Sequence, residues 1–279
     1  MIAIKNIRNR WFGLPVALKL VAVNAAVFVV LRLVAIVIRF SVDADAADAA
    51  VDTVVGTLLL PRTFTDWLHA PWTAVTYMFV QYDPMHLMMN MIWLYLFGTV
   101  AVRILSGRNI YGLYFLGGIS GAVFYIVANA MAGGVGTLGL TGASASILAI
   151  MGASMVLAPG MKLHLVIFGE ATLRIVGLIA ILLVVIATGE GNYGTHAAHA
   201  GGLLAGMGYA YVLRGKTERK RGAQAAPAHR EMDTETATPC TDSLDQLLDK
   251  IRRSGFNSLT AVERARLIKI SSNLQNRQS

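Results

Sequence analysis

Three stretches of this sequence place polar groups inside otherwise apolar runs, and the residue types suit acyl-transfer chemistry. Pro84-Met85-His86-Leu87-Met88-Met89-Asn90 sets a His and an Asn four residues apart, on one face of a helix. Thr141-Gly142-Ala143-Ser144-Ala145-Ser146 offers hydroxyls at the start of a second run, and Thr195-His196-Ala197-Ala198-His199-Ala200-Gly201-Gly202 offers two histidines at the start of a third. A serine hydroxyl is a poor nucleophile until a base removes its proton. His199 can be that base for Ser144 if the second and third runs pack side by side. Gly142 on the second run and Gly202 and Gly206 on the third permit close approach, as small residues do between membrane helices. Ser144 in the first turn of a helix is surrounded by backbone N–H groups without intrahelical acceptors and by the positive end of the helix dipole. The N–H groups of Ala143 and Ser144 therefore suit an oxyanion, and His86 and Asn90 can add side-chain donors to the same oxygen.

Geometry selects among the candidates. Ser146 points about 200° round the helix from Ser144, and Ser154 lies more than two turns deeper. His196 stands one turn above His199 and serves only if the helix is shifted. His69, His164 and Cys240 fall in other segments. There is no H-E-x-x-H helix, so neither a metal nor another cofactor is expected.

The elements that position these residues follow from composition. Of 279 residues, 55% are hydrophobic and 14% charged, against roughly 25% charged in a soluble domain. Residues 1–213 hold 11 Lys/Arg and 8 Asp/Glu, whereas residues 214–279 hold 13 and 8. The first part is thus a membrane domain embedded in a lipid bilayer, and the second a water-exposed tail. A soluble enzyme, a disordered chain and a disulfide scaffold are excluded, the last because Cys240 is the single cysteine. The net charge of +8 does not point to nucleic acid, because the basic residues cluster beside apolar spans.

A bilayer core needs about 20 apolar residues per helix. Six spans are expected, roughly Leu14–Ile38, His86–Ile104, Ile110–Met131, Thr141–Ala158, Ile175–Thr188 (with a possible start near Leu163) and Tyr193–Leu213. Val54–Leu60 is too short to span and belongs to a long loop suited to the interface. Lys5, Arg8, Arg10, Arg103, Arg108, Lys162, Arg174, Arg214, Lys216, Arg219, Lys220 and Arg221 mark the cytoplasmic side. Asp43, Asp45, Asp48, Asp52, Asp66 and Glu190 mark the other, with Arg39 and Arg62 as exceptions. Both termini are then cytoplasmic, and span 1 is a membrane helix rather than a cleaved signal peptide. Asn24 and Arg32 lie within span 1, the arginine close enough to its outer end to snorkel. All three polar clusters open even-numbered spans, so they meet at one depth below the outer surface.

At these residues the sequence resembles the rhomboid family of intramembrane serine proteases. The family pattern is H-x-x-x-N on the second helix, G-x-S-G at the fourth and A-H-x-x-G on the sixth. Here it reads His86-Leu87-Met88-Met89-Asn90, Gly142-Ala143-Ser144-Ala145 and Ala198-His199-Ala200-Gly201-Gly202, with Leu94-Tyr95-Leu96-Phe97-Gly98 also typical. The likeness runs from about Leu18 to Leu213. It implies an all-α, polytopic six-helix bundle with a Ser144–His199 dyad in a water-filled cavity open to the outer face. It also implies cleavage of single-span membrane proteins with small or helix-breaking residues near the outer leaflet. Three positions depart from the pattern: Ala145 replaces Gly, Leu148 stands where an aromatic is frequent, and Trp72-Thr73 replaces Trp-Arg in the first outer loop.

Residues 214–241, rich in Ala, Thr, Pro and charge, read as a flexible cytoplasmic linker. In residues 242–279, Leu244, Leu247, Leu248 and Ile251 recur at helical spacing. Ser254-Gly255 gives a stop, and Thr260 and Glu263 can form a capping box for a second helix whose apolar face holds Val262, Leu267 and Ile270. A small helical hairpin is expected, offering a site for a cytoplasmic partner or self-association. Two other functions compete with the protease. A catalytically inactive rhomboid-like protein that binds membrane clients would dispense with part of the dyad, whereas this chain keeps both members. A transporter would favour midplane ionisable residues or repeats, and neither is evident. The absence of an Arg-rich, acid-poor leader favours a bacterial cytoplasmic membrane.

Overall fold

The computed structural model describes residues 11–81, 83–133, 139–165, 169–189, 192–225, 242–254, 259–260, 263, 265 and 267. Of the residues singled out above, Lys5, Arg8, Arg10, Glu190, Cys240, Gly255, Val262 and Ile270 lie outside them. The chain forms two compact units, 1–220 and 221–279.

The first unit is helical. It contains α1 (Val16–Ser41), α2 (Ala44–Gly56), α3 (Phe64–His69), α4 (Thr73–Thr76), a 3-10 turn (Tyr77–Phe79), α5 (Pro84–Val102), α6 (Gly107–Met131) and α7 (Ser144–Leu157). A two-stranded hairpin, β1 (Lys162–Leu165) and β2 (Gly169–Thr172), is followed by α8 (Leu173–Thr188) and by α9 (Tyr193–Ala225), of which residues 193–220 belong to this unit. Among the described residues, α1, α5 and α6 are long and apolar enough to cross a membrane, and α7 and α8 are shorter apolar helices. The all-α polytopic fold expected from the apolar runs is therefore present. At 14 residues, α7 rises about 21 Å at 1.5 Å per residue, less than the ~30 Å hydrocarbon core. A helix this short brings its first residue below the level that a full span would reach.

Four segments differ from expectation. The acidic stretch after α1 is not a plain loop but α2, which starts directly beyond Asp43, its N-cap residue. Its Asp48 pairs with Arg39 of α1 at 2.9 Å, which explains a basic residue on the acidic side. The alternative start of span 5 near Leu163 is replaced by the antiparallel β1–β2 hairpin, with Lys162 opposite Thr172 and Leu165 opposite Gly169. Glu170 there pairs with both Lys162 and His164, each at 3.1 Å. The sixth span does not stop at Leu213, because helical hydrogen bonding continues to Ala225, into the segment expected to be a linker. Gly142 does not lie on the fourth helix, which begins at Ser144.

Small residues set the packing around α7. A Cβ added at Gly117 or Gly121 of α6 would meet Ala149 or Ala145 of α7. A Cβ added at Gly202 or Gly206 of α9 would fall on the carbonyls of Ala145 and Ala149. Two glycine pairs, each at i and i+4, thus grip one Ala-x-x-x-Ala edge from both sides. Lipid offers no hydrophobic gain for helix association, so such backbone proximity is where dispersion and weak C–H···O contacts accumulate. Arg32, on α1, lies 5.0 Å from the Phe28 ring centre.

In the second unit, α10 runs Asp242–Ser254, with Leu247 and Leu259 buried. The capping box forms as expected. The Thr260 N–H donates to Glu263 Oε2 at 2.7 Å and the Glu263 N–H to Thr260 Oγ1 at 3.3 Å. Lys250 of α10 donates to Glu263 Oε1 at 2.7 Å.

Candidate active site

The approach to Ser144 is a turn that glycine makes possible. Gly142 has φ +104°, a left-handed backbone that residues with a Cβ rarely adopt. Its N–H donates to the Tyr77 carbonyl at 2.9 Å, and a Cβ there would stand 2.8 Å from His86 Cε1. Just upstream, Leu140 and Leu60 exchange backbone bonds of 2.9 and 3.2 Å, tying this segment to the loop after α2. α7 then starts, with Ala143 as N-cap residue. With α7 and α9 held close by Gly202 and Gly206, Ser144 Oγ lies 2.7 Å from His199 Nε2. The pair opens into a cavity of about 760 Å3 that also holds His86, Asn90, Thr141, Thr188 and Asn192.

His86 and Asn90 sit on the first two turns of α5. Pro84 occupies the first turn, and Asp83 caps the helix by accepting the His86 N–H at 2.9 Å. Asn90 is buried, and its amide donates to Gln81 Oε1 at 2.7 Å. Gln81 in turn donates to Asn24 Oδ1 at 3.1 Å, and Asn24 donates to Tyr114 Oη at 3.0 Å. Tyr114 Oη donates to the Met78 carbonyl at 3.2 Å. One chain of buried amides therefore links α5, the preceding loop, α1 and α6. An amide nitrogen carries two protons, so the bond to Gln81 leaves Asn90 a second donor.

The opposite wall is the α8–α9 connection. The Thr188 hydroxyl donates to the Val184 carbonyl at 2.7 Å and lies 3.4 Å from His199 Nδ1. Asn192 Nδ2 donates to the Thr188 carbonyl at 2.9 Å, and His196 Nε2 lies 3.0 Å from the Gly189 carbonyl. His196 thus braces the turn between the two helices and stays apart from the Ser144 hydroxyl.

The structure brings together Ser144, His199, His86 and Asn90, on three helices. Gly202 and Gly206 lie at the α7–α9 contact, whereas Gly142 faces His86 from the turn ahead of α7. Ser146 is buried on another face of α7, and its hydroxyl has no hydrogen-bond partner among the described residues. Ser154 donates to the Ile150 carbonyl at 2.8 Å, and His69 contacts the Thr65 carbonyl at 2.9 Å. Trp72 anchors the first loop by donating its indole N–H to the Thr57 carbonyl at 2.9 Å, while Thr73 donates to the Ala70 carbonyl at 2.6 Å. Leu148 is buried in the core. Gln81 and Thr188 were not anticipated as parts of the site. Gln81 lies only five residues before His86, and a polar side chain next to an apolar span was its available signal. Thr188 depends on how α8 turns into α9, for which the sequence carries no period.

A family model for the Rhomboid domain matches residues 68–216, just over half of the chain. Residues 241–273 match a family of unknown function (DUF6576). The chain is similar to "RHOMBOID-like protein 12, mitochondrial" of Arabidopsis thaliana, 29% identical over 158 residues. That match covers 52% of this chain and 47% of the relative, so it spans about half of the relative's length.

Proposed function

The chain belongs to the rhomboid family and is a membrane protein, and from that premise we propose that it is an intramembrane serine endopeptidase with Ser144 as nucleophile and His199 as general base. The observation that carries this reading is the 2.7 Å contact between Ser144 Oγ and His199 Nε2, inside a cavity lined by further polar groups. In the first step Nε2 takes the Oγ proton while Oγ bonds to the scissile carbonyl carbon, and the carbonyl electron pair moves onto oxygen. That oxyanion faces the N–H groups of Ala143 and Ser144 and the side chains of His86 and Asn90. The C–N bond then breaks, and the imidazolium returns its proton to the leaving nitrogen. An ester remains on Oγ. Water, deprotonated by the same imidazole, attacks this ester, and Oγ recovers its proton as the carboxylic product leaves.

The substrates proposed are single-span membrane proteins. Met89 and Trp93 of α5 and Leu183, Val184 and Ala187 of α8 give the cavity apolar walls, suited to side chains from a lipid-embedded segment. A carbonyl within a helix is occupied by its own hydrogen bond, so small or helix-breaking residues near the scissile bond favour access. The charge pattern supports cytoplasmic termini and a site opening to the outer face.

The test uses full-length protein in proteoliposomes with a single-span substrate and a fluorophosphonate probe. Ser144→Ala and His199→Ala should lose both cleavage and labelling at unchanged melting temperature, while Ser146→Ala keeps both. A wild-type protein that binds the substrate but neither cleaves it nor labels would instead be an inactive client-binding protein.

A further inference from the structure

We propose that Thr188 is a positioning residue for His199, its hydroxyl accepting the Nδ1–H so that the bare Nε2 faces Ser144; this rests on the protease reading above. A neutral imidazole carries one proton, and the nitrogen that holds it is decided by the partner each nitrogen meets. Thr188 Oγ1 has a single proton, and the 2.7 Å bond to the Val184 carbonyl takes it. What the oxygen presents to Nδ1, 3.4 Å away, is therefore lone-pair density. Nδ1 must then be the protonated nitrogen, because a bare Nδ1 would face another acceptor across the gap. With the proton on Nδ1, Nε2 accepts from Ser144 Oγ at 2.7 Å, as a base requires. When Nε2 takes the serine proton, the Thr188 oxygen lies beside the new imidazolium. A contact of 3.4 Å is at the long end for a hydrogen bond, and catalytic contacts tighten once reacting groups are in place.

The local backbone holds this hydroxyl where the argument needs it. Thr188 is the last residue of α8, and Gly189, with φ +73°, ends the helix immediately after it. The Asn192 bond to the Thr188 carbonyl and the His196 contact with the Gly189 carbonyl tie the end of α8 to the start of α9. His199 lies one turn further along α9. Hydroxyl and imidazole are thus fixed relative to each other by two separate contacts. Threonine often bonds the carbonyl four residues back in a membrane helix. That habit accounts for the Val184 bond but does not account for the lone pairs being aimed at Nδ1.

The experiment compares wild type, Thr188→Val and Thr188→Ser as full-length protein in proteoliposomes. Losing one neutral hydrogen bond of ordinary strength corresponds to about a 3- to 10-fold fall in rate. Thr188→Val should lower kcat by that factor, leave KM within about 2-fold and leave the melting temperature unchanged. Thr188→Ser, which keeps the hydroxyl, should restore kcat to within about 2-fold of wild type. In parallel, nitrogen NMR of histidine-labelled protein, with His199 assigned by its loss in His199→Ala, should show the proton on Nδ1 in wild type. The other tautomer should gain population in Thr188→Val. A wild-type kcat in Thr188→Val, equal impairment in Thr188→Ser, or a proton on Nε2 in wild type would each overturn the assignment. If wild type neither cleaves nor labels, the protease reading fails, and the NMR tautomer alone still judges the Thr188 contact.

Discussion

Gly206→Ala puts the packing argument to a quantitative test, because the structure supplies its own control. The added methyl would fall on the Ala149 carbonyl of α7, and a backbone carbonyl in a helix cannot turn aside. To reach ordinary van der Waals distance, α9 must withdraw from α7 by more than about 1 Å, and overpacking of this kind costs about 1–3 kcal/mol. The same interface carries the catalytic contact. A 2.7 Å Oγ–Nε2 separation lengthened by about 1 Å is beyond hydrogen-bond range, and a misplacement of that size can cost about 100-fold in rate. On the same helix, a Cβ at Gly208 meets nothing within 4 Å, so Gly208→Ala should behave as wild type. The assay is kcat/KM on a single-span substrate in proteoliposomes, with thermal unfolding and the rate of fluorophosphonate labelling measured on the same preparations. The expectation is a fall of about 100-fold in both rates for Gly206→Ala, with a lower melting temperature. Gly206→Ala within 3-fold of wild type, or Gly208→Ala equally impaired, would refute the claim that these two helices are held at contact distance by glycine.

Asn90→Ala should lower kcat by roughly 10- to 1,000-fold with a smaller effect on KM, the range found for a lost oxyanion donor. Gln81→Leu should lower melting temperature as well, since it leaves buried amides unpartnered at about 1–3 kcal/mol; unchanged turnover in Asn90→Ala with a lower melting temperature would return Asn90 to helix packing. A cysteine at Thr57 should react with an impermeant thiol reagent from outside, and Cys240 only after permeabilisation; the reverse pattern would invert the proposed orientation. In the second unit, hydrogen bonds from Lys250 and then from Thr260 hold the Glu263 carboxyl down to about 2. Its folded value lies below its ordinary 4.5, so the contribution is complete above that value and is lost as pH falls toward 2. The amide-exchange protection factor near Thr260 in the full chain should therefore hold from pH 6 down to about 4.5 and fall progressively toward pH 2, and Glu263→Gln should lower it already at pH 6.

Much of this protein is legible in its residues because a bilayer leaves few choices. Apolar length identified α1, α5 and α6 within a few residues, and the Pro84, Ser144 and Tyr193 starts were signalled by polar groups interrupting apolar runs. The capping box at Thr260 and Glu263 was equally readable, since it depends on a spacing of three residues. Side chains with chemistry inside an apolar run are costly there, so His86, Asn90, Ser144 and His199 stood out before any geometry was known. The turns and contacts between spans were another matter. The β1–β2 hairpin and the helical end of α9 lie outside the constraint that lipid imposes, and composition alone did not reveal them. Among small residues Gly142 looks like a packing position, yet its φ of +104° and its proximity to His86 make it the pivot of the turn into α7. The amide chain from Asn90 through Gln81 to Asn24 and Tyr114, and the threonine behind His199, join residues from different elements. Sequence patterns report what repeats along one element. Which groups meet across elements depends on how closely the helices pack and where each turn releases the chain, and only the tertiary structure decides that.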